Sequence, residues 1–183
     1  MKSIWVVLAI AGLPLLTVLG NLGYFFINQE DHLQIIKTGP DQLGIFVLPV
    51  MLLQFTASLV TSPLFEEPGW RGFALGPLQE RYGRTLGSLV VALLWWAWHQ
   101  PMNLTFGLTP SFYSALSMVV LSFIIDSLFN LSNQNLFTAM LAHQSSGTVN
   151  TFFNQGNENW LTLILKIIFL MVIRRIESIK KAS

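Results

Sequence analysis

Long apolar runs separated by short polar, glycine- or proline-containing stretches fill the chain. They fall at residues 4–27, 44–65, 85–106, 111–130, 136–153 and 160–176. A bilayer core about 30 Å thick takes roughly 20 residues of helix to cross, so the pattern predicts about six membrane-spanning helices. None of the runs carries the continuous charged face that a helix of a soluble bundle turns to water. The predicted fold is all-α: a polytopic membrane helix bundle, one integral-membrane domain over residues 1–183. The fifth run is the least apolar, with His143, Gln144, Ser145 and Ser146, and is expected to be buried among the others. The connectors are short apart from 28–43 and 66–84. The second of these contains Gly69, Gly72, Gly76 and Pro77 and then the amphipathic piece 79–84. It reads as a short interfacial helix leading into the third span. The chain shows no internal repeat.

Composition strengthens this picture. Of 183 residues, 52% are hydrophobic and only 10% charged, against about 25% charged in a soluble domain. Fourteen Phe and six Trp suit lipid-facing and headgroup-level surfaces. The opening apolar run reaches about Ile27 without a small-residue cleavage pattern and reads as a retained helix rather than a signal peptide. Basic residues predict the sidedness. Lys2, Arg71, Arg81, Arg84, Arg174, Arg175, Lys180 and Lys181 all fall on one side of a six-span arrangement. Lys37 falls on the other, with Glu30, Asp31, Asp41 and Glu158. Both termini are therefore expected in the cytoplasm. The net charge of +1, with no basic stripe, argues against nucleic acid as a partner. The absence of cysteine excludes a disulfide, a thiolate nucleophile and a Cys-type zinc site.

The chemistry-bearing positions lie against this apolar background. Residues 44–60 carry no charge, yet Glu66 and Glu67 follow close behind. A charged side chain at the centre of a spanning helix costs roughly 2.5–3.5 kcal/mol, so a pair needs a partner or a task. Pro68 suits the first position of a new helix, which the two carboxylates would then cap at its positive end. Glu67 and Arg71 are spaced for an ion pair along one helix face, which leaves Glu66 free to act as a general base. The plainer reading is a helix cap with a salt bridge at the membrane surface. His99 lies within Leu94-Trp95-Trp96-Ala97-Trp98-His99, with Trp95 a turn before and Asn103 a turn after. His143 shares a helix face with Gly147 and Asn150. Each histidine alone reads as a hydrogen-bonded core residue, but two of them and a glutamate pair in apolar helices predict a hydrolytic site. Asp126, inside the fourth run, suits a structural partner for a donor on another helix, and Lys166 suits pairing or snorkelling. No H-E-x-x-H helix, G-x-S-x-G elbow or phosphate-binding loop is present.

Three segments resemble the CPBP family of CAAX proteases and bacteriocin-processing enzymes, also called the Abi or type II CAAX prenyl endopeptidase family. Glu66-Glu67-Pro68-Gly69-Trp70-Arg71 matches its Glu-Glu-x-x-x-Arg motif and is followed by Gly72 and Phe73. Trp95 to His99 matches its aromatic-x-x-x-His motif. The third motif, His-x-x-x-Asn, begins at His143, with Gly147 at the asparagine position. The resemblance covers roughly residues 50–153, the expected protease core. It implies a helical intramembrane endopeptidase in which Glu66 activates a water and His99 and His143 orient it or stabilise charge. Glu67 and Arg71 would support the site, and Asn150, one turn beyond Gly147, would take the place of the missing asparagine. Metal-free general-base chemistry and a zinc ion held by Glu66, His99 and His143 both remain open.

The expected partners are the lipid bilayer and a peptide or membrane-protein substrate, such as prenylated C-terminal peptides, leader peptides or membrane-bound regulators. The expected location is a bacterial plasma membrane. The alternative is a catalytically weak or inactive immunity or peptide-binding membrane protein, which the Gly147 departure favours. A proton-coupled carrier would also use intramembrane Glu and His but predicts an inverted repeat, which the chain lacks.

Overall fold

The computed structural model describes residues 3–28, 46–105, 107, 112–154 and 159–182. Among these residues every element is helical, and the molecule is an all-α membrane helix bundle. Lys2, Glu30, Asp31, Lys37, Asp41 and Glu158, which entered the sidedness argument, lie outside the described residues.

Helix α1 runs through Ser3–Val7, a π-helical turn at Leu8–Gly12, and Leu13–Asn28. Helix α2 (Val47–Thr61) ends at Ser62, where the following proline disfavours helical backbone for the residue before it; Ser62 sits at φ −113°, ψ −68°. Helix α3 (Pro63–Glu67) starts on that proline, and a π-helical turn (Pro68–Ala74) leads into α4 (Leu75–Tyr82). Pro68 brings no N–H to the helical ladder, and the wider turn closes with the Leu75 N–H bonded to the Trp70 carbonyl. Gly83, at φ +79°, takes a left-handed conformation open to glycine and turns the chain into α5 (Arg84–Thr105). Helices α6 (Phe112–Leu131) and α7 (Leu136–Val149) follow, then a π-helical turn at Asn150–Asn154 and α8 (Trp160–Ala182).

Among the described residues, three helical stretches are long and apolar enough to cross a membrane: Ile4–Asn28, Val47–Tyr82 and Phe112–Leu131. Helices stand at the other three expected spans as well, but with different properties. Helix α7 has only 14 residues, about 21 Å at 1.5 Å per residue. Helix α5 begins on Arg84 and carries His99, Gln100 and Asn103, and α8 gathers charges toward its end. The expected interfacial helix exists as α4, but it closes a 36-residue helical path that begins at Val47. The capping role expected of the two glutamates is not realised. No side-chain cap bond forms at Glu67, because helix continues through both residues.

Helix α7 sits at the centre, as its mixed polarity predicted. Nine of its residues are buried, among them Thr138, Gln144, Ser145, Ser146 and Thr148. The turn before it uses Asn133 and Gln134 at φ +61° and +57°. Asn135 then caps α7, accepting from the N–H groups of Phe137 and Thr138. Ser145 donates to the Ala9 carbonyl at 2.7 Å, inside the π-helical turn of α1, so a serine on the central helix engages a carbonyl in the irregular turn of its neighbour. Lys180 on α8 donates to the Leu131 carbonyl and to Asn133 Oδ1, fastening the end of α6. Lys166, in the apolar part of α8, is buried.

Small residues set how closely the helices approach. A Cβ added at Gly87 would lie 2.6 Å from the backbone of Leu78 and Gln79, whereas one at Gly76 meets nothing within 4 Å. Gly87→Ala should therefore destabilise the bundle by about 1–3 kcal/mol through overpacking. Gly76→Ala should be neutral or stabilising by up to ~1 kcal/mol. Thermal unfolding in detergent compares the two, and equal melting temperatures would contradict the close α4–α5 contact.

Candidate active site

The site forms where α3, α5 and α7 meet, and Trp95 organises it. On α5, Trp95 and His99 are one turn apart, so the Trp95 carbonyl points at the His99 ring and accepts from Nδ1 at 2.8 Å. A carbonyl only accepts, so Nδ1 carries a proton, and Nε2 faces Glu66. The Trp95 indole N–H donates to Glu66 Oε2 at 3.0 Å. Its ring meets both His99 and His143 edge to face, with centroids 5.1 and 5.0 Å apart. Trp95 itself is buried. Glu66 is fixed from its other side by Ser62, one turn earlier, whose hydroxyl donates to Oε1 at 2.7 Å.

Behind this front layer lies a closed charged cluster. Glu67 Oε1 faces His143 Nδ1 at 2.8 Å and Arg71 at 3.1 Å. Arg71 donates through Nε to Asp126 Oδ1 at 2.9 Å and to the Ser122 hydroxyl at 2.8 Å. Its guanidinium also lies 5.0 Å from the Trp95 ring centroid. The side chains of Glu67, Arg71 and Asp126 are 0% exposed. One cation thus serves two carboxylates, and the guanidinium has donors to spare for a hydroxyl. The predicted Glu67–Arg71 pair is present, and the donor expected for Asp126 is Arg71.

The front layer is partly exposed where the rear is closed. The side chains of Glu66 and His99 are each 16% exposed and that of His143 is 12% exposed. One ligand atom from each of Glu66, His99 and His143 lies within 4.8 Å of the others, and Glu66 Oε2 stands 4.0 Å from His99 Nε2. That is close enough for one metal ion or one shared water. The donor set fits a metal: both rings commit Nδ1 to an acceptor, which leaves Nε2 as the ring nitrogen for an ion, and a carboxylate adds an oxygen. Glu67 behind His143 is the kind of carboxylate partner that orients metal-binding histidines.

Asn150 lies just beyond the end of α7. It opens the π-helical turn after α7, with its N–H bonded to the Ser146 and Gly147 carbonyls. Seven residues separate it from His143, about 10 Å along a helix. Gly147 is exposed, and a Cβ there would meet nothing within 4 Å. Sequence reasoning placed Trp95 in the aromatic motif but gave it no role, and it did not assign Ser62 or Ser122 to the site. The spacing of four from Ser62 to Glu66 and from Trp95 to His99 was the available signal.

Residues 48–149, more than half of the chain, match the family described as type II CAAX prenyl endopeptidase Rce1-like. A stretch of 55 residues is 38% identical to CAAX prenyl protease 2 of Methanococcus maripaludis; it covers 30% of this chain and 18% of that relative. No solved structure matches the chain.

Arg71→Ala would leave Glu67 and Asp126 buried without their cation. Losing one partner of a buried ion pair costs about 3–5 kcal/mol, so this variant should melt well below the parent in detergent. An unchanged melting temperature would show that the cluster carries no such load.

Proposed function

The chain belongs to the type II CAAX prenyl endopeptidase Rce1-like family, and we propose that it is an intramembrane endopeptidase whose Glu66 activates water beside His99 and His143. The observation that carries this reading is the meeting of one carboxylate and two imidazoles from three helices in a partly open pocket. The substrates would be prenylated C-terminal peptides, leader peptides or other membrane-associated chains.

In this mechanism a water sits between Glu66 and the histidines. Glu66 takes one of its protons while the Nε2 lone pair of His99 accepts a hydrogen bond from the other, aligning the oxygen on the scissile carbonyl. The new C–O bond makes a tetrahedral intermediate. Glu66 then returns its proton to the departing amide nitrogen as the C–N bond breaks, leaving a carboxylic acid and an amine, between which the second proton of the water passes to give carboxylate and ammonium. A positioned base of this kind contributes about 10²–10⁴-fold. Charge on the intermediate needs a donor, and a ring that already spends Nδ1–H supplies one at Nε2 only when both nitrogens carry protons. His143, anchored on the Glu67 carboxylate, is the candidate.

Glu66, His99 and His143 would equally hold zinc, which would polarise the carbonyl and acidify a bound water. A second functional reading draws on Gly147: the family's asparagine position carries no side chain here, which supports a weak enzyme or a peptide-binding immunity protein. The whole chain would form one integral-membrane domain with its protease core at residues 50–153. Its sidedness in a bacterial plasma membrane, with cytoplasmic termini, rests on the distribution of Lys and Arg.

Glu66→Gln should lower cleavage of a farnesylated CAAX reporter peptide by about 10²–10⁴-fold while leaving membrane insertion unchanged. Undiminished cleavage would remove the proposed base. Activity of the parent protein should survive chelation. Elemental analysis showing zinc, with activity lost on its removal, would shift the chemistry to the metal. Reporter binding without cleavage would favour the second functional reading.

A further inference from the structure

The cluster behind the pocket continues past the motif residues onto α6, and that extension has a consequence for catalysis. Asp126 Oδ1 accepts from Arg71 Nε at 2.9 Å, and Ser122, one turn earlier on α6, accepts from a terminal nitrogen of the same guanidinium at 2.8 Å. Arg71 then donates to Glu67 Oε1 at 3.1 Å, the atom that faces His143 Nδ1 at 2.8 Å. Both side chains between Asp126 and His143, Arg71 and Glu67, are closed to bulk solvent. From α4, Gln79 donates to Ser88 on α5 at 2.9 Å.

We infer that Asp126 is a positioning residue for the endopeptidase site, acting through Arg71 and Glu67 to fix the His143 ring. Glu67 alone does not determine where Arg71 lies, because a pair four residues apart on one helical segment can swing as a unit. A guanidinium held at Nε and at a terminal nitrogen by α6 has a fixed plane. That plane sets Glu67 Oε1, and Glu67 Oε1, by holding Nδ1, sets the direction in which Nε2 of His143 points. The ring face is set independently by Trp95, whose own ring also contacts Arg71. Ser122 supports the same plane without adding charge. Neither residue reaches the pocket, so both should act on turnover and not on substrate binding.

This inference rests on the endopeptidase reading, and the test separates the two. The parent chain, Asp126→Asn, Ser122→Ala, Glu67→Gln and the Asp126→Asn/Glu67→Gln double variant are placed in proteoliposomes with the farnesylated reporter. Folding is checked by circular dichroism and detergent gel filtration. Asp126→Asn should lower kcat by about 10–100-fold, the range for partners behind a site histidine, with KM within about twofold. Ser122→Ala should lower kcat by about 3–10-fold in the same way, at the weaker end of that scale. The double variant should lose less than the product of the two single losses, because both cut one chain of contacts. A folded Asp126→Asn protein with unchanged kcat, a loss confined to KM, or full multiplication of the single effects overturns the inference. Should Asp126→Asn fail to fold, Ser122→Ala decides by itself, and an unchanged kcat there overturns it. Absence of cleavage by the parent chain overturns the endopeptidase reading and this inference with it, whereas parent cleavage with indifferent variants overturns this inference alone.

Discussion

One buried guanidinium carries the arrangement. Arg71 lies between the carboxylates of Glu67 and Asp126, all three closed to solvent. Charges removed from water persist only when paired and hydrogen-bonded. Here the guanidinium uses Nε, both terminal nitrogens and its flat face: Asp126, Glu67, Ser122 and the Trp95 ring are its neighbours. Through these contacts the π-helical turn after α3 is fastened to α5 and α6. The pair Glu67–His143 fastens it to α7 as well. The front of the site inherits its geometry from that rear anchor.

Irregular backbone appears where this geometry requires it. Proline at 63 and at 68 interrupts the hydrogen-bond ladder on either side of the glutamates, and the wide turn that follows brings Arg71 under Glu67. The break at Ser62 lies one turn before Glu66, and the Ser62 hydroxyl holds that carboxylate. Trp95 supplies the remaining order: one side chain and its own carbonyl touch Glu66, His99, His143 and Arg71. A single aromatic residue thus couples the open front of the pocket to its closed rear.

Much of this was legible along the chain, and the part that was not has a common cause. Contacts four residues apart follow from helix geometry alone, so the pairs Glu67–Arg71 and Trp95–His99 were readable, and Ser62–Glu66 carried the same signal unused. Contacts between helices depend on crossing angles and depth, which periodicity does not encode. His143 and Glu67 are 76 positions apart, and Arg71 and Asp126 are 55 apart. Asp126 was legible as a group in need of a donor, but which donor was not. The all-helical class and the burial of α7 were legible because apolar length and mixed polarity are local properties. Span boundaries were less so, since helix continues from Val47 to Tyr82 across the polar stretch that suggested a break. The capping role of the glutamates failed for the same reason. Family resemblance located the three motifs, while the physical reading of charge burial explains why their residues need one another.

The convergence of Glu66, His99 and His143 is the claim on which the rest depends, and the absence of native cysteine makes it directly measurable. Glu66→Cys combined with His143→Cys, and His99→Cys combined with His143→Cys, place two thiols at a time in the pocket. Treatment of membranes with a short bifunctional thiol reagent, read by mass spectrometry, should give an intramolecular bridge in both double variants. Thiols that each react singly but never bridge would contradict a shared pocket and leave the histidines as separate features of a helical scaffold.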